Sequence, residues 1–264
     1  MGIATQLKEV DNGFQKIAAV PALAAKPIVI GESDPEGCAA CPGPQNAYRN
    51  GTMYSSYSAA SFARIWELAQ KRGVNLEGVL TWAFEFENQP WFAGYRQLST
   101  NGVNLPVLNV FRMFARLGPE RIAASSSAQV SLDEIVANGV RGETDVGALA
   151  TRTPQGEVAV LVWNYHDDDL TGPDAAVHLT ITGLKLKAAS NATIWRVDGA
   201  NGNAFTAWQK MGAPQSPNAT QYQELEKASE LAPQSLQPQR VRLGTRSFEV
   251  ALPRQGVALI VIGN

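Results

Sequence analysis

The sequence is short of the side chains that most cofactor and metal chemistry requires. Among 264 residues there are two histidines and two cysteines. A zinc site wants four such ligands, and Cys38-Ala39-Ala40-Cys41 has no second CxxC or His pair to complete it. A redox CxxC would open a helix that stabilises its thiolate. Here Pro42, Gly43 and Pro44 follow instead, which places the pair in a loop as structural thiols or a short-range disulfide. His166 and His178 fall on separate predicted strands, so neither a metal nor a cofactor is expected. The chain also lacks a positive surplus. Its formal charge is −2 with only 17% charged residues, so nothing offsets a row of phosphates and nucleic acid is not an expected partner. No apolar run reaches the about 18 residues that would cross a membrane. Ile17–Ala25 is apolar, but Glu9 and Asp11 precede it and Pro21 interrupts it, unlike a signal peptide with its basic start.

What is present is ample apolar content, 45% hydrophobic residues, with 23 glycines and 15 prolines to punctuate it. This is a globular composition with many turns. The first half alternates helix and strand. Leu7, Val10, Phe14, Ile17 and Ala18 recur at helical spacing over Thr5–Val20, and Pro21 stops that helix. Lys26–Gly31 reads as a short strand buried on both faces. Tyr57–Arg72 reads as a helix with Phe62, Ile65, Trp66 and Leu68 inward and Gly73 as its cap. Leu76–Phe86 reads as a second strand, Asn88–Gly102 as an aromatic loop, and Leu105–Leu117 as a helix with Pro106 in its first turn. Helix, strand, helix, strand, helix is the order of βα units on a parallel sheet.

After Pro119 the pattern changes. Segments 145–152, 156–165, 176–183, 191–198, 245–252 and 256–262 read as short strands of an antiparallel β-sandwich, with Trp163, Tyr165, Trp195 and Trp208 in its core. Ser131 caps a short helix. Residues 212–239 read as an elaborated loop with one helical turn near Gln221–Lys227. Asp167-Asp168-Asp169 reads as a solvated turn, since consecutive carboxylates do not converge as calcium ligands do. Two domains follow from this, 1–118 and 119–264. A closed (β/α)8 barrel takes about 250 residues, and residues 1–118 offer two strands. The first domain therefore reads as the C-terminal remnant of a larger barrel.

Three stretches carry a family resemblance: Lys26–Asp34 (KPIVIGESD), Thr81–Phe86 (TWAFEF), and Val162-Trp163-Asn164-Tyr165-His166 in the β-rich tail. In their order and spacing the whole chain resembles glycoside hydrolase family 39, the β-xylosidases and α-L-iduronidases, and most of all the bacterial β-xylosidases. The resemblance implies a (β/α)8 barrel followed by a β-sandwich, with Pro27–Glu32 as barrel strand seven and Leu76–Phe86 as strand eight. It implies retaining hydrolysis of a small saccharide, a xyloside, by two carboxylates. The nucleophile at the end of strand seven matches Glu32. Where the family more often has Thr before it, this chain has Gly31. The acid/base belongs to an Asn-Glu pair on strand four, and no Asn-Glu dipeptide occurs in this sequence. A truncated chain, inactive by itself, is what that departure implies.

Trp82 resembles the family's platform for a sugar ring, against the alternative of a core indole at the barrel rim. Glu85 or Glu87 is a candidate for sugar hydroxyls. Trp91, Phe92 and Tyr95 line the mouth of the site or pack the loop. Asp34 and Glu36 read as turn residues. A competing reading is a non-catalytic β-sandwich module that binds carbohydrate or serves as a scaffold.

Overall fold

The computed structural model describes residues 2–86, 88–184, 192–238 and 240–263. It opens with α1 (Ile3–Ala18), whose apolar stripe buries Ile3, Leu7 and Phe14. Pro21 ends that helix and also starts a four-residue turn of its own, α2 (Pro21–Ala24), from the first helical position that proline tolerates. Strand β1 (Ile28–Ile30) follows, then a 3-10 helix, Pro44–Asn50. Helix α3 (Thr52–Arg72) ends at Gly73, whose φ of 66° supplies the left-handed cap. It begins five residues before the predicted start at Tyr57. The serine-rich opening resembles a turn, but Ser58 Oγ donates back to the Tyr54 carbonyl at 2.9 Å, which lets a hydroxyl sit inside a helix.

Strand β2 (Leu76–Val79) pairs parallel with β1, Val29 opposite Gly78 and Ile30 opposite Val79. Two expectations are corrected here. The second strand does not run to Phe86: the last backbone bonds to the first strand's segment are those of Leu80, whose N–H donates to the Ile30 carbonyl at 2.9 Å and whose carbonyl accepts from the Ser33 N–H at 2.8 Å. Nor is β1 buried on both faces: it has one neighbour, and Val29 is 55% exposed. Trp66, expected inward, is also substantially exposed on α3. Hairpin β3 (Ser99–Thr100) and β4 (Val103–Asn104) turns through Asn101 and Gly102, both at positive φ, as an Asn-Gly hairpin does. Helix α4 (Pro106–Phe114) completes this part.

The remaining elements are β5 (Glu120–Ile122), α5 (Leu132–Asn138), β6 (Asp145–Arg152), β7 (Val158–Tyr165), β8 (Ala175–Thr182), β9 (Ala192–Val197), α6 (Ala204–Lys210), α7 (Ala219–Ser229), β10 (Gln234–Leu236), β11 (Arg240–Arg242), β12 (Thr245–Leu252) and β13 (Val257–Ile262). Ser131 caps α5 by accepting from the Glu134 N–H. The helical turn expected near Gln221–Lys227 is the longer helix α7, opened by a reciprocal Asn218–Gln221 capping box. Helix α6 and strands β5, β10 and β11 escaped the sequence pattern because each is too short to show a period. A six-stranded sheet, β10-β9-β13-β7-β6-β5, lies over a three-stranded sheet, β11-β12-β8. Val160, Val162 and Ile260 of the larger sheet pack with Phe248, Val250 and Leu252 of the smaller one.

Along β7 the opposite side chains, Leu161, Trp163 and Tyr165, face the helices. They join Leu7, Tyr57, Ile65 and Met113 in a second core. Trp163, Tyr165, Trp195 and Trp208 all belong to that helix-facing core, which corrects their expected place between the sheets. The division drawn at Gly118 therefore crosses a shared core. Gly118 itself passes so close to β6 that a Cβ there would lie 2.5 Å from the Arg152 carbonyl. The acidic triplet is corrected as well. Asp167 is buried and accepts from the Ile3 N–H at 3.1 Å, the Val140 N–H at 3.0 Å and the Tyr165 hydroxyl at 2.7 Å. These donors come from distant or differently folded segments, so the run of aspartates alone gave no sign of them.

Candidate active site around Glu32

Glu32 follows β1 after one residue, Gly31, at the C-terminal end of a parallel strand, where α/β folds place their chemistry. Its side chain is 33% exposed. Arg96, fully buried, brings Nη2 to 2.8 Å from Glu32 Oε1 and Nη1 to 2.6 Å from Asp34 Oδ2. Asp34, read from sequence as a turn residue, is instead the buried hub of the site. Its Oδ1 accepts from the Tyr54 hydroxyl at 2.7 Å and the Thr81 hydroxyl at 2.6 Å, and its Oδ2 from the Trp82 N–H at 2.9 Å. Burial first, and then the Asp34 carboxylate, push the Tyr54 phenol well above its ordinary value. It therefore stays a protonated donor at any physiological pH.

The loop after Glu32 is held by a second buried arginine. Cys38 and Cys41 are joined in a disulfide, the structural alternative of the sequence reading. Arg49 donates to the carbonyls of Cys38 at 2.7 Å, Cys41 at 3.2 Å and Gly94 at 3.1 Å, and pairs with Glu36. Glu36 also accepts from the Tyr48 hydroxyl. The Arg96 N–H reaches the Ala39 carbonyl at 3.0 Å. The loops after β1 and β2 are thereby stitched together, and Arg96 is carried on the second of them.

Trp82 is half-exposed and starts a row of rings on alternate residues. Its centroid lies 5.2 Å from Phe84, Phe84 lies 5.9 Å from Phe86, and Phe86 stacks on Tyr95 at 4.6 Å. Asp34 links Trp82 to Glu32 through the Trp82 N–H and Arg96. Glu85 is exposed and accepts from the Ser99 hydroxyl. Glu87 lies outside the described residues. Trp91 does not line a mouth. It is 9% exposed, packs on Phe92 and Tyr222, and its N–H donates to Gln215 at 2.9 Å. Of the two places expected for Trp91 it takes the second, packed into the loop, and Tyr222 of α7 covers it.

An apolar cleft of about 550 Å³ lies elsewhere, between α3, β2 and α4, lined by Phe62, Trp66, Leu80, Phe111 and Phe114 among others. It does not include Glu32. Among the described residues no cluster of His, Cys, Asp or Glu is arranged to hold a metal ion, and no helix is long and apolar enough to cross a membrane. The arrangement offers an oriented, partly exposed carboxylate, and a half-exposed indole whose backbone N–H is tied to it through Asp34 and the Asp34–Arg96 ion pair. Sequence reasoning missed Asp34, Arg96 and Tyr54. A lone arginine in the aromatic stretch was the one available hint of Arg96.

The comparisons agree with this arrangement of elements. The chain is 23% identical over 176 residues to a β-xylosidase of Caldicellulosiruptor saccharolyticus, covering 66% of this chain and 33% of that protein. A monomeric β-xylosidase from Caulobacter crescentus CB15 superposes with a TM-score of 0.69 at 17% identity, over 96% of this chain and 48% of that one. A bacterial orthologue of human α-L-iduronidase gives 0.71 at 20% identity, over 97% and 44%. At these identities the structures show a shared fold. The chain spans about half the length of the solved structures and a third of the curated relative. The sequence profile of Glycosyl hydrolases family 39 matches residues 3–242, nearly the whole chain, and to that family the chain belongs.

Proposed function

We propose that this chain carries the nucleophile side of a retaining β-xylosidase-type site, with Glu32 as the nucleophile and Trp82 as the platform for the sugar ring. One observation carries the reading: the Glu32 carboxylate stands partly exposed at the C-terminal end of a parallel strand, fixed by a buried guanidinium. In such chemistry Glu32 attacks the anomeric carbon and forms a glycosyl ester. A second carboxyl about 5–5.5 Å away protonates the leaving oxygen and later activates water. In this reading β1 and β2 are strands seven and eight of a (β/α)8 barrel, and residues 119–264 form the accessory sandwich.

The absence of any Asn-Glu dipeptide leaves the proton donor unassigned. General acid–base assistance is worth about 10²–10⁴-fold. The chain by itself is accordingly expected not to turn over glycosides with poor leaving groups. A donor whose leaving group departs without protonation bypasses that need, so it tests Glu32 directly. Purified chain is incubated with an activated 2-deoxy-2-fluoroxylosyl donor, digested and analysed by mass spectrometry. A xylosyl-type mass on the peptide containing Glu32, absent in Glu32→Gln, supports the reading. No labelling of the wild type at saturating donor, combined with binding of xylooligosaccharide, would instead support the non-catalytic module.

A further inference from the structure

We infer that Arg96 aims Glu32: it holds Oε1 of the carboxylate and so leaves Oε2 as the oxygen that meets the electrophilic carbon. This makes Arg96 a positioning residue, and the inference rests on the reading of Glu32 as a nucleophile.

The geometry separates the two carboxylates that share this guanidinium. Asp34 is saturated, with two hydroxyls, one backbone N–H and Arg96 around its oxygens. Glu32 receives one donor, Arg96 Nη2 on Oε1 at 2.8 Å, and Oε2 accepts no hydrogen bond among the described residues. The side chain is a third exposed and tied at a single oxygen, which leaves Oε2 without a donor among the described residues. Asp34 is the fixed end of the arrangement and Glu32 the working end.

Arg96 is equipped to hold this position. Its side chain is fully buried, so it acts through Glu32 and makes no contact with a sugar. Its backbone is pinned on both sides, the N–H to the Ala39 carbonyl at 3.0 Å and the carbonyl to the Phe84 N–H at 3.1 Å. The planar fork presents two nitrogens in a fixed relation, which a lysine ammonium cannot do. Orientation of a nucleophile into a near-attack geometry is worth several powers of ten in rate, provided that it is set before the substrate arrives. Without Arg96 the Glu32 carboxylate would rotate between equivalent solvated positions.

The test uses the whole chain labelled with ¹³C at the glutamate carboxyl carbons. The Glu32 resonance is identified by its loss in Glu32→Gln. The inference expects a single narrow Glu32 signal, distinct from those of exposed glutamates. It expects that signal to move onto the exposed group in Arg96→Lys and Arg96→Met. Asp34→Asn, which keeps the shape of the hub while removing its charge, should displace the Glu32 signal without removing its distinctness. Because Arg96 is buried, circular dichroism and the melting temperature establish that each variant is folded. Arg96→Lys and Asp34→Asn retain the test if Arg96→Met is not. In parallel, the rate of labelling of Glu32 by the activated xylosyl donor should fall about tenfold or more in Arg96→Lys, with the donor concentration for half-maximal rate within about twofold. A folded Arg96→Lys chain whose Glu32 signal is unmoved overturns the inference, as does unchanged labelling. If the wild type takes no label while the signal moves as described, the nucleophile assignment fails and the Arg96–Glu32 relation stands.

Discussion

Arg64 Nη2 lies 2.7 Å from Asp145 Oδ1, with both side chains fully buried. The pair joins α3 to the start of β6. Asp145 also accepts from the Trp163 indole N–H and the Val130 N–H, each at 2.9 Å, and Arg64 donates to the Val130 carbonyl at 3.1 Å. Removing one partner would leave the other charge buried and uncompensated, a loss of about 3–5 kcal/mol. Asp145→Ala is thus expected to lower stability by about that amount in urea unfolding. Because the pair sits in a core common to both halves, the wild type is expected to unfold in one transition. Two resolved transitions would mean that the halves are independent.

Acid should weaken a different link. Arg72 makes two hydrogen bonds to Asp11, Nε to Oδ1 and Nη2 to Oδ2, both at 2.7 Å, and these hold the Asp11 carboxyl below its ordinary value. A depressed carboxyl in the folded state contributes stability above its unfolded value of about 3.9 and loses it as pH falls through the folded one. The melting temperature of wild type minus Asp11→Asn should be positive at pH 6 and shrink toward zero as pH drops below about 4. A difference that is constant with pH would remove the ion pair from the explanation.

Reduction tests the loop after Glu32. The disulfide closes a short ring between Cys38 and Cys41, for which the loop-entropy relation gives about 2 kcal/mol. Treatment with a dithiol should lower the melting temperature by about 4–8 °C. It should also speed hydrogen exchange at Arg96, whose N–H is bonded to the Ala39 carbonyl. Unchanged exchange there would show that Arg49 alone holds the two loops together.

Hydrogen exchange should also map the uneven stability of the α/β part. All eight residues of β7 are buried, and Ala59, Ala60, Ile65 and Leu68 of α3 share a core with it. These amides should exchange only through global unfolding. Amides of β1, with one neighbour and Val29 exposed, should exchange much faster. If α3 exchanged with β1 and not with β7, the shared core would be refuted.

Much of this architecture was legible locally. Short segments set apart by Gly, Pro, Asn and Asp marked β6, β7, β8, β9, β12 and β13 to within two residues. Gly73 and Ser131 marked a helix end and a helix start through their own backbone and side-chain chemistry. Pro42, Gly43 and Pro44 kept Cys38 and Cys41 in a loop, where a separation of three residues lets them meet. Glu32 could be singled out because an apolar strand ends beside it and the surrounding motif resembles a known family.

Other features depend on partners far away in the chain, and no local pattern encodes those. Asp34 looks like any aspartate before a proline until Tyr54, Thr81, Trp82 and Arg96 arrive around it. Asp167 looks like one of three solvated acids until α1 places the Ile3 N–H against it. Trp91 reads equally as a mouth residue or as loop packing until Tyr222 covers it. In sequence, residue type and period determined which segments become strands and helices, and which carboxylate ends a strand. The tertiary structure decided which charges are buried, which oxygen of Glu32 is held and which is open, because desolvation and hydrogen-bond geometry are set only when distant segments pack.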